Sequence, residues 1–146
     1  MNNRYICKAK RKDNGEWIEG YLVKHNERYY IYYEYADEMC QTGNYLSYKQ
    51  VISETVGECT SFTDVNSELL FTGDIVESRG SENKEDWKRW VIVFFDGSYC
   101  FEREIPRKRK YKYEQNLLCD GGINLYGLTK IGNIHDNPEL LERYDK

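Results

Sequence analysis

The fold is decided by the stretch Trp90-Val91-Ile92-Val93-Phe94-Phe95-Asp96-Gly97-Ser98-Tyr99-Cys100-Phe101-Glu102. Two runs rich in β-branched and aromatic residues flank Asp96-Gly97, a dipeptide that favours a two-residue turn between antiparallel strands. The stretch therefore predicts a β-hairpin, and with it a sheet built from antiparallel neighbours.

The N-terminal part of the chain repeats this pattern. Extended runs bounded by polar turn residues cover 5–12, 17–23, 28–35 and 45–52. The first two flank Asp13-Asn14-Gly15, a second strong turn signal. We expect an antiparallel β meander here, with a boundary between two units near residues 60–68. The predicted units are residues 1–62 and 63–146.

One strand of this meander is unusually rich in tyrosine. It carries Tyr29, Tyr30, Tyr32, Tyr33 and Tyr35. Because successive side chains of a strand point to opposite faces, both faces should carry aromatic rings.

Composition agrees with an all-β class. The chain of 146 residues has 14 Tyr, 15% aromatic residues and only 2 Pro, which favours pleated, half-buried surfaces. In the second unit, strands are predicted at Leu69–Ser78, in the hairpin and at Leu128–Ile134. Several short strands with polar turns suggest a small SH3-like barrel, since closure removes exposed edges. Residues 105–122 are ambiguous between helix and irregular strand.

The C-terminus carries a helix signal. Asn137 is a good N-cap and Pro138 suits the first helical position, so a short terminal helix is predicted over Pro138–Tyr144.

Net charge restricts the kinds of partner that the protein could bind, and cysteine content indicates the cellular compartment. A net charge of -4 and a pI near 5.3 give no overall field that would hold a polyanion. No segment has the apolar length of a signal peptide or membrane span, so we expect a cytoplasmic protein. Five cysteines without a Cys-x-x-Cys pair suit reduced thiols better than disulfides or a zinc site.

Blocks of sequence in a fixed order resemble the YopX family of small phage and prophage proteins. The matching residues are Trp17, Gly20, Tyr21, Glu54-Thr55-Val56-Gly57, Thr60, Gly73-Asp74-Ile75-Val76, Asp96-Gly97, Ile131-Gly132-Asn133-Ile134 and Asn137-Pro138-Glu139-Leu140-Leu141. The resemblance implies a mostly β protein with an SH3-like C-terminal part, and it implies no established activity. Where the family pattern has glycine turns, this chain has Ser61 and Asn66-Ser67.

The candidate catalytic groups do not form a set. His25 and His135 lack a Cys or acidic pair at metal-ligand spacing. Neither Cys59 nor Cys100 lies in a thiol-enzyme motif. Asp74 follows Gly73, where a carboxylate more often bonds neighbouring amides than acts as a base. We therefore predict no catalytic residue, no cofactor and no metal, and a protein that is not an enzyme.

Aromatic and basic residues are the remaining functional candidates. Trp17, Trp87 and Trp90 with the tyrosine run could stack on bases or sugars, although such rings more often form cores and interfaces. A basic run interleaved with Tyr could bind nucleic acid; the alternative is a solvated loop or a protected edge. Its cations are Arg107, Lys108, Arg109, Lys110 and Lys112. A second basic group comprises Lys8, Lys10, Arg11 and Lys12.

Three functional classes follow from these observations. The preferred interpretation is a non-enzymatic phage or prophage accessory protein that forms a homo-oligomer through its aromatic strands and barrel edges. The alternative is a nucleic-acid-binding SH3-like module that uses the basic run 107–112. An enzyme would need convergent titratable groups in a cleft, which the sequence does not offer.

Overall fold

A computed structural model describes residues 5–36, 44–79, 82–84, 87–104, 113–117 and 127–141. Its strands are β1 (Ile6–Lys10), β2 (Trp17–His25), β3 (Arg28–Ala36), β4 (Asn44–Val51), β5 (Gly57–Thr63), β6 (Leu69–Phe71), β7 (Asp74–Ser78), β8 (Lys88–Phe95), β9 (Ser98–Glu104), β10 (Tyr113–Leu117) and β11 (Leu128–Asn133). Two 3-10 helices cover Ser53–Thr55 and Pro138–Leu140.

The strands form two antiparallel sheets. The first has six strands in the order β4-β3-β2-β1-β5-β6, and the second has five in the order β10-β9-β8-β7-β11. The predicted mainly β class is confirmed. Contacts group the chain into two compact units, Met1–Cys59 and Thr60–Lys146. The boundary after residue 62 stays a prediction from the sequence.

The predicted hairpins are present, and their turns have the expected backbone. Asp96 and Gly97 both take positive φ, at 51° and 78°, between the paired strands β8 and β9. Asn26 and Glu27 do the same, at 52° and 62°, between β2 and β3. Positive φ at both central residues defines the turn type whose twist matches the strands.

In the first unit the sheet of described strands is curved without closing. A Cβ on Gly20 would overlap the backbone carbonyl oxygen of Tyr32. Only glycine at this position of β2 therefore lets the neighbouring strand β3 lie so close. The end of β4 then returns to the end of β1, where Arg11 bridges Val51. The curled sheet encloses a small core of Ala9, Ile31 and Val51, with Cys7, Ile18, Leu22, Tyr29 and Val56 packed against it.

The second unit has the larger core. It contains the buried residues Leu70, Val76, Trp90, Ile92, Phe101 and Leu128, with Phe62 and Tyr99 packed against them. The Trp90 and Phe101 rings meet edge to face at 4.8 Å between centroids, a favoured aromatic geometry. Strand β7 is buried along its whole length.

Two finer expectations for this unit are not confirmed. Within the described ranges neither sheet closes into a barrel, because the five-stranded sheet ends at β10 and β11, each of which pairs with a single strand. A helical turn does begin at Pro138, but as a 3-10 helix that ends at Leu140; residues 142–144 lie outside the description. Asn137 is the N-cap residue and Pro138 begins the helix, as predicted, but the Asn137 side chain makes no capping hydrogen bond and accepts one from the Asn133 N–H.

Candidate functional site

The sheet of the first unit presents an exposed apolar face opposite its core. Side chains alternate along each strand, so Ile31 enters the core while its neighbours on β3 point outwards. The apolar residues of this outward face, here called the tyrosine face, are Tyr21, Val23, Tyr30, Tyr32, Leu46 and Tyr48; Glu34 and Gln50 lie beside them. Tyr21 is 45% exposed, Tyr48 55% and Leu46 64%. Clustered apolar exposure of this kind is a mark of interaction surfaces.

The rings of the tyrosine face are held by strand register. Tyr32 is paired with Tyr21 on one side and with Tyr48 on the other. The Tyr48 ring stacks on Tyr32 at 5.2 Å and meets Tyr30 edge to face at 5.7 Å. Such contacts orient the rings before any partner arrives, which lowers the entropy cost of binding. The sequence prediction that both faces of this strand carry rings is confirmed, because Tyr29 packs against the core.

Each of the three tryptophans makes contacts within its own unit. Trp90 is buried against Phe101. Trp17 lies under the Lys8 and Lys10 ammonium groups, at 5.0 and 5.5 Å from its ring centroid. Trp87 lies under Arg79 and Lys84, at 5.0 and 5.8 Å. The faces of Trp17 and Trp87 that a base would stack on are therefore partly covered by cations.

The second basic group is divided among local contacts. Lys8 and Lys10 lie against Trp17, as described above, and Lys8 is buried. The Arg11 guanidinium pairs with Asp13 at 2.6 Å, and this hydrogen bond lowers the pKa of the Asp13 carboxyl. These three cations thus have partners within the chain. Residues 107–112, which carry the first basic run, lie outside the described residues.

Asp74 is a structural carboxylate. It is fully buried, its Oδ2 accepts the Phe71 N–H at 2.8 Å, and the Lys130 ammonium lies 3.4 Å away. Gly73 before it has φ +91°, which glycine adopts without strain. The predicted turn at this block is present, and Asp74 bonds a neighbouring amide there as expected.

Other residues that carry the family resemblance also hold turns. Thr55 Oγ1 donates to the Ile52 carbonyl and accepts the Lys10 N–H. Thr60 Oγ1 donates to the Leu70 carbonyl at 2.8 Å. These side chains fix the backbone before and within β5. The matching block around Thr55 and Thr60 therefore stabilises the fold.

The C-terminal block follows the same rule. Asn133 Oδ1 accepts the N–H groups of His135 and Asp136, each at 2.9 Å. A Cβ on Gly132 would lie 2.9 Å from Cγ of Asn137, which is closer than packed atoms allow. This turn needs glycine at one position and an amide side chain at the next.

Sequence reasoning missed Asp64. Its Oδ1 accepts the N–H groups of Asn66 and Glu68, and its Oδ2 accepts the Lys130 N–H at 2.9 Å. The available signal was an Asp followed by turn residues, which is typical of an Asx-turn. The bond to Lys130 spans 66 positions, and no local pattern predicts it.

Glu77 is a second residue that the sequence did not single out. Burial raises the pKa of its carboxyl, but hydrogen bonds from Arg89 and Arg79 outweigh burial and hold the pKa below the usual value. Arg89 also donates to the Leu140 carbonyl at 2.8 Å. The cluster thus ties β7 and β8 to the 3-10 helix at Pro138.

Cys7 and Cys100 lie in surroundings that disfavour the reactive thiolate. Burial raises the pKa of Cys7 and of Cys100, and nearby carboxylates raise both further, which disfavours the nucleophilic thiolate. His25 is exposed at the end of β2. No group of three or more His, Cys, Asp or Glu in the described ranges is placed to hold a metal ion.

One shallow cleft lies near the turn between β2 and β3. It is lined in part by Lys12, Arg28, Glu27 and Glu54. Cations and carboxylates are equally represented, so the cleft has no net charge that would select a charged ligand. Among the residues that the structure describes, no helix has the length and apolar character needed to cross a bilayer.

The fold and this face define a class of protein with two antiparallel sheets, one of which exposes a cluster of tyrosines. Residues 8–142 match the YopX protein family, and the chain belongs to that family. A similar solved structure is that of protein EF1440 from Enterococcus faecalis, with a TM-score of 0.57 and 20% sequence identity over 93% of this chain and 96% of that one. This likeness shows a shared fold. None of the curated proteins compared with the chain matches it.

Proposed function

We propose that this protein is a non-enzymatic, self-associating interaction module, and that copies of the chain meet through the tyrosine face. The observation that carries the proposal is the exposure of Tyr21, Leu46 and Tyr48 on one face of an ordered sheet. We place its action in the cytoplasm during a phage or prophage cycle, without a cofactor or metal, in keeping with the family resemblance.

Contact between two tyrosine faces would bury apolar surface. Tyrosine buries a large rigid surface at low entropy cost and keeps a hydroxyl for hydrogen bonding, so it is enriched at protein interfaces. The first unit also has few fully buried core residues. Covering the tyrosine face would add apolar burial to the unit that has the smaller core.

Sedimentation velocity of the purified protein tests this proposal. We expect a particle heavier than the 17.5 kDa chain at micromolar concentration. Tyr48→Ser should shift the distribution towards monomer. Phe94→Ser is a matched control, because Phe94 has the same 55% exposure as Tyr48 and lies on β8. A monomeric wild type, or equal effects of the two substitutions, would contradict the proposal.

A second candidate is nucleic-acid binding by an SH3-like C-terminal module. It is supported by the basic run Arg107, Lys108, Arg109, Lys110 and Lys112, which in sequence separates Glu104 of β9 from Tyr113 of β10, two residues that are paired. Binding of single- or double-stranded DNA or RNA at low salt should weaken as salt rises. It should also be lost when Arg107, Lys108, Arg109 and Lys110 become Ala. Unchanged binding by that variant, or none by the wild type, would exclude it.

A further inference from the structure

The outer edge of strand β4 is a second feature of the first unit, distinct from the side chains of the tyrosine face. On one side β4 pairs with β3 along its whole length. On the other side, the backbone contacts that β4 makes with described residues lie at its C-terminal end. There the Gln50 carbonyl accepts the Lys12 N–H, and the Ile52 N–H donates to the Lys10 carbonyl, both at 2.9 Å.

These two bonds fix the direction of every backbone group in the strand. In an antiparallel ladder the N–H and C=O of alternate residues point to the same side. Since Gln50 points away from β3, Tyr48 and Leu46 must do so as well. Among the described residues, no strand pairs with this edge between Asn44 and Lys49.

The edge lacks the usual protection against strand addition. Natural edges are blunted by proline, bulges or several charges. The sequence of β4, NYLSYKQV, has no proline and a single charged residue, Lys49, and its register with β3 is continuous over eight pairs. Such an edge can accept a further strand.

We infer that β4 pairs with β4 of a second copy, antiparallel about a two-fold axis at Ser47. This inference rests on the proposed self-association and specifies its geometry. Leu46 of each copy would exchange both backbone hydrogen bonds with Tyr48 of the other. Ser47 would face Ser47, and Tyr45 would face Lys49.

Two other two-fold registers suit the edge less well. An axis at Tyr48 would set Leu46 opposite Gln50, whose carbonyl already accepts the Lys12 N–H. Only the pair of Tyr48 with Tyr48 would then keep both hydrogen bonds. The axis at Ser47 keeps two Leu46–Tyr48 pairs and loses hydrogen bonds only where Asn44 lies opposite Gln50. An axis at Lys49 would place two like charges opposite each other, which is destabilising. The axis at Ser47 places a small side chain where the strands approach most closely, and it sets the Lys49 ammonium beside a tyrosine ring. It also joins the two tyrosine faces, because Leu46 and Tyr48 lie on that face.

A cysteine cross-link tests the register. Facing residues of a non-hydrogen-bonded antiparallel pair have Cα atoms about 4.5 Å apart, within disulfide range. Ser47→Cys should therefore give a disulfide-linked dimer under mild oxidation, and peptide mapping should locate the bond between the two introduced thiols. Lys49→Cys is the matched control on the same strand face. In this register its two copies would be offset by four residues, about 13 Å, and should not cross-link.

A proline substitution tests the hydrogen bonds. Leu46→Pro removes an N–H that points away from β3, so it spares the β3–β4 ladder while blocking the new one. We expect the association constant to fall by at least about tenfold, whereas Leu46→Thr, which keeps the N–H, should change it less. Circular dichroism checks that the variants fold. If Leu46→Pro does not fold, the cross-linking of Ser47→Cys alone tests the pairing.

The outcomes separate the two proposals. A monomeric wild type overturns both. A wild-type oligomer in which Ser47→Cys forms no disulfide between the two introduced thiols overturns the edge pairing and leaves association through the tyrosine face. A cross-link with Ser47→Cys but not with Lys49→Cys, in the oligomeric protein, supports the two-fold pairing.

Discussion

Gly20 and Gly15 show two different reasons for glycine in this chain. A Cβ on Gly20 would overlap the Tyr32 carbonyl oxygen and lie 2.9 Å from the Ile31 side chain. Gly15 has open space around it but a φ of +72°. We expect Gly20→Ala to lower the free energy of unfolding by about 3 kcal/mol through overpacking. Gly15→Ala should cost about 1 kcal/mol through backbone strain alone. Urea unfolding of both variants measures the difference, and equal losses would contradict it.

Ser67 occupies a position where the family resemblance has glycine. Its φ of +64° is left-handed, which costs a residue with a Cβ about 1 kcal/mol. Ser67→Gly should therefore raise the free energy of unfolding by about 0.5 kcal/mol, after the greater entropy of glycine in the unfolded chain is subtracted. Ser67→Ala keeps the strain and is the control. Stabilisation by alanine to the same extent would show that φ is not the cause.

Glu77 should contribute to the pH dependence of stability. Hydrogen bonds from Arg89 and Arg79 hold its pKa below the ordinary value in the folded state, despite burial. A lowered pKa stabilises the fold at pH values above the unfolded pKa of about 4.3, and this stabilisation is lost as pH falls through the folded pKa. Wild type should thus exceed Glu77→Gln in unfolding free energy at pH 7, with the gap shrinking below pH 4. Glu82→Gln, at an exposed position, should show no such gap.

Between elements, Asp64 connects the turn after β5 to strand β11. Its carboxylate accepts backbone N–H groups from Asn66, Glu68 and Lys130. Asp64→Ala would leave these donors unsatisfied in a buried place, so we expect a loss of about 3 kcal/mol. Asp64→Asn should lose less, since its amide retains one oxygen acceptor. Asp13→Ala removes an exposed ion pair and should cost under about 1 kcal/mol. Thermal unfolding that ranks these variants otherwise would contradict the assigned role.

How far the sequence predicts an element depends on the range of the interaction that fixes it. The turns at Asp96-Gly97 and at Asp13-Asn14-Gly15 follow from local backbone preferences, so the hairpins of β8 with β9 and of β1 with β2 could be predicted. The absence of a capping hydrogen bond from the Asn137 side chain also has a local cause. That side chain accepts the Asn133 N–H of the preceding turn instead of an N–H of the 3-10 helix.

The features that could not be predicted from the sequence depend on contacts between residues far apart in the chain. The tyrosine run predicted rings on both faces of β3, but not which face would be exposed. That outcome depends on the return of β4 to β1 at Arg11 and Val51, which lie 40 positions apart in the numbering. The bond from Lys130 to Asp64 is of the same kind. Neither leaves a local pattern that a reader of the sequence could use.

Across the molecule, most residues that carry the family resemblance lie outside the proposed contact surface, although Tyr21 belongs to both. Thr55, Asp74 and Asn133 carry the resemblance, and each holds a turn or a buried pair. Leu46 and Tyr48 of the tyrosine face lie outside the matching blocks. These blocks therefore bear mainly on the fold, whereas the proposed edge pairing depends on Leu46 and Tyr48 of β4.

Self-association through this strand predicts that thermal stability depends on protein concentration. A partner that binds only the folded chain stabilises it by mass action. For a dimer of this chain length, each tenfold rise in concentration should raise the melting temperature by about 2 °C. Tyr48→Ser should flatten this dependence, whereas Phe94→Ser should lower the melting temperature and keep the slope, because Phe94 packs on Tyr99 of its own unit. Scanning calorimetry over a hundredfold range, from about 1 to about 100 µM, measures the slope. A wild-type melting temperature that does not change over this range would contradict self-association through the tyrosine face.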